Sequence, residues 1–334
     1  MSGLKNLQWL LAARPSGNPR AGDFRRVEAS LAPLEEGQVL VRNLWLSLDP
    51  TNRVWMNDAE SYMPRLHLGE VMRGLTLGVV EESQNPAFQP GDHVAGLLGW
   101  QTFAVSNGRG LNKLPSLPIP LEAHFGLLGH IGFTAYFGVL DIGKASAGET
   151  MVVTAAAGAV GSLAAQIGKI HGCRVVGIAG TDDKCHWLKD ELGIDAAINY
   201  KTEKVPAALE RHCPGGIDVD FENVGGPILD AILARINLRA RIALCGMIHW
   251  YNATGPVAGP SNLAMLISKR ARMEGFLVLD YMHRAAEATT KLVEWHLAGK
   301  LKYRLDIVEG LENAPQALNR LFTGANTGKL VVRL

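Results

Sequence analysis

Met151-Val152-Val153-Thr154-Ala155-Ala156-Ala157-Gly158-Ala159-Val160-Gly161 sets the architecture of half the chain. Its first four residues form a short apolar run, the length of a buried parallel strand. A turn of small residues follows. Val160, Leu163, Ala164, Ile167 and Ile170 then recur at helical spacing, and Gly172 stands where a helix stops. Cys173 to Ile178 reads as a second strand. Strand, turn, helix and strand make one βαβ unit. Its turn would let backbone N–H groups and the positive end of the helix meet a pyrophosphate. The glycine pattern is incomplete, because Ala156 occupies the first glycine position ahead of Gly158 and Gly161. Such turns also occur where small residues serve packing alone.

The end of the second strand says which dinucleotide would fit. Selectivity for the unphosphorylated cofactor calls for Asp or Glu there, bonding the ribose 2′-hydroxyl. Ala179-Gly180-Thr181 carries no acid. Lys184 follows, and Tyr200 ends a further strand, Ala196 to Tyr200. A hydroxyl, a lysine and a phenol suit a 2′-phosphate. Asp182 and Asp183 add opposing charge but read as first-turn helix residues. Lys184 also fits a solvated helix position.

The 334 residues suffice for two domains. With 47% hydrophobic residues and net charge +1, no bias points to nucleic acid or to a membrane surface. No basic, aromatic-interleaved stripe suggests RNA binding. Cys173, Cys185, Cys213 and Cys245 form no C-x-x-C pair and no metal-like cluster. Their pattern predicts a reducing, cytoplasmic setting without disulfides. No signal peptide is expected from the short Leu7–Ala13 run, and no run is expected to span a membrane.

The first ~125 residues read differently, as short β segments between turn signals. Strands are predicted at Gln38–Leu46, Thr76–Glu81, His93–Leu98 and Gln101–Val105. After Pro115, Pro118 and Pro120 the pattern becomes helix, then repeated strand–helix units. Later strands are predicted at Ile217–Phe221, Arg241–Cys245 and Arg272–Val278. Helices are predicted at Asp182–Leu192, Pro227–Ile236, Ala258–Ser268 and Arg284–Ala298. Arg272–Asp280 fits either an edge strand pairing across a homodimer or a buried central strand. Lys329–Leu334 reads as a strand returning to the first domain. The fold class is therefore α/β, a doubly wound parallel sheet with a second, β-rich domain. Residues 126–299 form the nucleotide domain, and residues 1–125 with 300–334 form the other.

Several motifs then carry a family resemblance. They include Leu46-Ser47-Leu48-Asp49-Pro50, Leu68 to Gly74, Gly132-Phe133-Thr134-Ala135-Tyr136, Asn199-Tyr200-Lys201, Glu222-Asn223-Val224-Gly225-Gly226, Cys245-Gly246-Met247-Ile248, Tyr251-Asn252 and Gly324 to Lys329. In this order they span nearly the whole chain. The chain resembles the zinc-independent medium-chain dehydrogenase/reductases, in the leukotriene B4 dehydrogenase, prostaglandin reductase and double-bond reductase branch. Bacterial curcumin reductase is similar. The resemblance implies a GroES-like β domain, a Rossmann domain and a homodimer. It implies NADPH-dependent reduction of a double bond conjugated to a carbonyl, so a small enone or enal substrate. By matching motif, Gly158, Ala159, Val160 and Gly161 would line the pyrophosphate. Gly180, Thr181, Lys184 and Tyr200 would surround the 2′-phosphate. Asn223, Cys245, Gly246, Met247, Ile248, Tyr251, Phe276, Leu277, Val278 and Asn326 would line the remainder, with Tyr251 facing the substrate carbonyl.

Two departures fall near the expected pocket. Thr51-Asn52-Arg53 stands where relatives often have Tyr-Met-Arg, and His249-Trp250 precedes the tyrosine where they often have Ser-Gln. No zinc is expected, because no cysteine precedes Cys173 and His67 has no soft partner nearby. Reduction of an enone requires hydride at the β-carbon and a donor for the charge that develops on oxygen. Tyr251 is the first candidate donor and Tyr62 the second; either could instead wall the pocket. A quinone oxidoreductase and a non-catalytic NADPH-binding protein remain as alternatives.

Overall fold

The computed structural model describes residues 5–59 and 61–334. The chain divides into two units. One comprises Met1–Glu122, Asp306–Ala325 and Leu330–Leu334, and the other Ala123–Leu305 with Asn326–Lys329.

The first unit is built on antiparallel strands. β1 (Lys5–Leu11) and β2 (Phe24–Ser30) pair along their full length, from Lys5 opposite Ser30 to Leu11 opposite Phe24. Neither strand was expected from the sequence. Both mix apolar and charged residues, so neither reads as a clean alternating run. The larger sheet comprises β3 (Val39–Ser47), β4 (Thr76–Ser83), β5 (His93–Gly96), β6 (Phe103–Ser106) and β7 (Asn112–Lys113), together with two strands from the end of the chain. The segment predicted as Gln101–Val105 is therefore shifted. Gln101 lies outside β6, in an isolated antiparallel bridge with Gln8, and its side chain also accepts from Asn6 Nδ2 at 2.9 Å and Gln8 Nε2 at 2.8 Å. The core of this unit gathers Leu11, Phe24, Leu46, Met56, Met72 and Trp100. The rings of Phe24 and Trp100 stack at 5.5 Å.

The second unit holds a six-stranded parallel sheet. Its strands are β8 (Thr150–Val153), β9 (Arg174–Ala179), β10 (Ala196–Asn199), β11 (Ile217–Glu222), β12 (Ile236–Leu244) and β13 (Arg272–Gly275). Their spatial order is β10-β9-β8-β11-β12-β13. This is the doubly wound order, which reverses between β8 and β11. β13 lies at the sheet edge, so the reading of Arg272–Asp280 as a central strand is excluded. The strand also stops at Gly275, three residues before the predicted Val278. β12 starts at Ile236 rather than Arg241, and Cys173 and Cys245 lie just outside β9 and β12.

The helices are shorter than their apolar patterns suggested. Asp182–His186 is α-helical, but Trp187–Glu191 continues as a π-helical turn. The predicted Ala258–Ser268 helix forms only over Ala264–Lys269, after the breakers Gly259 and Pro260. The segment 123–142 corrects the expectation that no run could span a membrane. By length and composition it could, yet 72% of its most apolar window is buried in the protein, as in a core helix. β14 (Leu305–Glu309) and β15 (Lys329–Arg333) complete the sheet of the first unit. β15 pairs with β3, setting Val331 opposite Ser47.

Candidate functional site

Reversal of strand order places a crevice at the carboxyl ends of β8 and β11. Most of the sequence-predicted cofactor residues collect around these ends and those of β9, β10 and β12. After β8 the chain passes through Ala155, which has a left-handed φ of +47°. It then enters the helix Ala159–Ile170, whose N-cap is Gly158. No side chain caps that terminus. The first-turn N–H groups of a helix have no partner within the helix and carry the positive end of its dipole. An anion fits there. Gly161 is required for packing, since a Cβ on it would lie 2.4 Å from the Ala155 carbonyl oxygen. The return segment seats on the same turn. Gly328 N–H donates to the Ala157 carbonyl at 2.8 Å, and Gly158 and Gly328 form a parallel bridge. Asn326 is buried beside it and donates through Nδ2 to the Gly328 carbonyl at 3.1 Å.

The end of β9 itself, Ala179 to Thr181, carries no acid; the nearest carboxylates, Asp182 and Asp183, lie in the first turn of the following helix. The Tyr200 ring packs on Gly180, where a Cβ would come within 3.0 Å of Tyr200 Cε1. Thr181 caps the helix Asp182–His186, its Oγ1 accepting from Lys184 N–H at 3.3 Å. Asp182 is engaged elsewhere and accepts from Asn199 Nδ2 at 2.7 Å. Gly180, Thr181, Lys184 and Tyr200 thus belong to one corner. Lys201, not among the sequence candidates, adds a second cation there. Its Nζ lies 6.0 Å from the centroid of the Tyr200 ring.

Beyond β11 and β12 the loops are tied together. Asn223 donates through its backbone N–H to Thr154 Oγ1 and through Nδ2 to the Thr154 carbonyl, both at 2.7 Å. Ile248 N–H donates to the Asn223 carbonyl at 3.0 Å. Cys245 and Gly246 donate to the Glu222 carbonyl at 2.9 and 3.1 Å. The Tyr251 hydroxyl folds back onto this loop and accepts from Met247 N–H at 3.2 Å. Burial, then the charge of Glu222, pushes the Cys245 thiol up to about 12, so it stays protonated at neutral pH. Phe276 is placed less simply than Asn223. Its ring meets Phe221 edge-to-face at 6.4 Å and packs over Gly138, inside the unit. Leu277 is exposed, and a 3₁₀ turn begins at Val278.

Tyr62 belongs to the other unit. It is 46% exposed, and its hydroxyl shares a hydrogen bond with Thr51 Oγ1. One of the two sequence departures is thus the partner of the second candidate tyrosine. Asn52 of the same departure accepts from Asp49 N–H at 2.7 Å and donates to the Arg73 carbonyl at 3.1 Å. Among the described residues, no group of three or more His, Cys, Asp or Glu could hold a metal ion.

Comparison with known proteins matches two families. Residues 7–114 match the N-terminal domain of oxidoreductase, and residues 159–295 match the zinc-binding dehydrogenase family. The chain is 44% identical to the NADPH-dependent curcumin reductase of Escherichia coli, over 99% of this chain and 97% of that protein. It is 42% identical to the NADP-dependent 2-alkenal reductase of Nicotiana tabacum, over 98% and 97%. The structure of CurA from Vibrio vulnificus in complex with NADPH matches with a TM-score of 0.93 and 44% identity, over 98% of each chain.

The close approach at Gly161 yields a prediction. Gly161→Ala must displace the Ala155 carbonyl and should cost about 1–3 kcal/mol of stability, read by urea unfolding. A variant as stable as the parent would mean that the turn is not as tight as described.

Proposed function

Because the chain belongs to the zinc-independent medium-chain dehydrogenase/reductases, in the branch of double-bond reductases, we propose that it uses NADPH to reduce the C=C bond of α,β-unsaturated ketones and aldehydes. The observation that carries this reading is the end of β9, with no acid at Ala179–Thr181 and Tyr200 packed on Gly180, in a chain 44% identical to a curcumin reductase over 99% of its length. Gly158, Ala159, Val160 and Gly161 receive the pyrophosphate at the uncapped helix terminus. Thr181, Lys184 and Tyr200 hold the 2′-phosphate, with Lys201 as a further cation. Asn223, Cys245 to Ile248, the backbone of Phe276 to Val278, and Asn326 line the remainder. NADPH, when bound, supplies the hydride.

Tyr251 stabilises the charge that develops on the substrate oxygen. Its phenol oxygen accepts from Met247 N–H at 3.2 Å, which holds the ring against the loop after β12. An accepted hydrogen bond also strengthens the one a hydroxyl gives. Tyr62, held by Thr51, is the second donor. The oligomer is a homodimer formed through the β13 edge, where Leu277, Leu279 and Met282 stand exposed. Four free cysteines support a cytoplasmic setting.

The test of function compares NADPH consumption with a trans-enone and with the matched saturated ketone. Consumption only with the enone supports the reading, and equal consumption with the ketone sinks it. Lys184→Ala should weaken NADPH by about 10–100-fold in a fluorescence titration and leave NADH almost unchanged. Equal weakening of both would remove Lys184 from the phosphate corner. Tyr251→Phe should slow single-turnover reduction about 10²–10³-fold while NADPH affinity holds. An unaltered rate would reduce Tyr251 to a wall residue.

A further inference from the structure

Two carboxyl groups lie beneath the proposed cofactor loops, and neither has a part in the reaction described above. Asp220 and Glu222 alternate on β11, with exposures of 1% and 0%. Glu222 Oε1 is a hub. It accepts from Thr154 Oγ1 at 2.9 Å, from Gly225 N–H at 2.8 Å and from Val224 N–H. Thr154 Oγ1 in turn accepts from Asn223 N–H. The Glu222 carbonyl receives the N–H groups of Cys245 and Gly246. One residue therefore joins the end of β8, the turn after β11 and the loop after β12.

Glu222 Oε2 and both Asp220 oxygens are buried and receive no hydrogen bond from any other residue, and the two carboxyls lie within hydrogen-bonding reach of each other. Asp220 is in register with Val152 on β8 and Ile242 on β12, both fully apolar. The titratable groups that face this pair are the two carboxyls themselves and the Cys245 thiol. Two adjacent buried carboxylates cannot both ionise without a large electrostatic cost. Glu222 has three donors and Asp220 has none, so the charge belongs on Glu222 and the proton on Asp220.

We propose that Glu222 is a positioning residue for the nicotinamide side of the cofactor site, and that Asp220 holds it in place as the protonated member of a one-charge pair. The inference rests on the reading that this crevice binds NADPH. Burial, then the Glu222 charge, pushes the Asp220 carboxyl well up from its ordinary range. The folded protein therefore keeps a proton that the unfolded chain releases above about pH 3.9. Stability falls as pH rises from there through the folded value, because the unfolded state binds fewer protons. The Asn223–Gly226 turn should loosen over the same range, and NADPH affinity with it.

The experiment measures the NADPH dissociation constant by fluorescence, and the thermal midpoint, from pH 6 to pH 9. It uses the full-length parent, Asp220→Asn and Glu222→Gln. The amide at 220 keeps the shape and removes the titration. Expected are a parent that loses both affinity and thermal stability toward pH 9, and an Asp220→Asn protein with a flatter profile of each. Glu222→Gln should bind NADPH about tenfold more weakly, since it gives up charge-assisted bonds. Identical pH profiles for the parent and Asp220→Asn would overturn the proposal while NADPH binding stood. Failure of the parent to bind NADPH at any pH would instead overturn the reading of the crevice, and the positioning role with it. Asp220→Asn provides the decision if Glu222→Gln does not fold.

Discussion

The reversal of strand order between β8 and β11 is the constraint from which the site follows. In a doubly wound sheet the chain leaves neighbouring strands toward opposite faces at this point, and the backbone cannot close the gap above them. Two of the turns proposed for the cofactor border that gap. The helix Ala159–Ile170 begins at it without a side-chain cap, and the Asn223–Gly226 turn borders it. The segment Asn326–Lys329 comes back from the end of the chain to pair with Gly158. The site is thus assembled from segments far apart in sequence but adjacent in one unit.

Glu222, through a carboxylate with three donors and its own carbonyl, ties together the end of β8, the turn after β11 and the loop after β12. An unpaired charge there would be costly, and Glu222 is tolerated because Thr154 and two backbone N–H groups converge on it. Thr154 is bonded again by Asn223. Deleting any one member leaves a buried polar atom without its partner, so the network behaves as a unit. Neighbouring Cys245 contributes no thiolate, because burial and the Glu222 charge keep its thiol protonated.

The central βαβ unit was legible because strand, turn and helix announce themselves locally. Met151 to Val153 is an apolar run, Ala155 to Gly161 are small, and the helix alternates at its own period. The missing acid at Gly180 and the phenol at Tyr200 were also readable, since the corner depends only on the ends of two predicted strands. Other features depend on tertiary contacts that leave no local pattern. Asp218, Asp220 and Glu222 alternate as on a solvated strand face, yet the last two are buried. Phe276 sits in a motif that suggests a cofactor wall, but its ring turns inward onto Gly138 and Phe221. β1 and β2 mix charged and apolar residues, and it is their backbone pairing, with each other and of β1 with residues near Val71 and Gln101, that makes them strands. The shared bond between Thr51 and Tyr62 is likewise visible only once the chain has folded.

The proposed function turns on hydride passing from NADPH to the β-carbon of a conjugated double bond. NADPH deuterated at the transferring position of the nicotinamide, incubated with the protein and a trans-enone, tests this directly by nuclear magnetic resonance of the product. Deuterium is expected on the β-carbon of a saturated product whose carbonyl is intact. Deuterium on the carbonyl carbon of an allylic alcohol would contradict it.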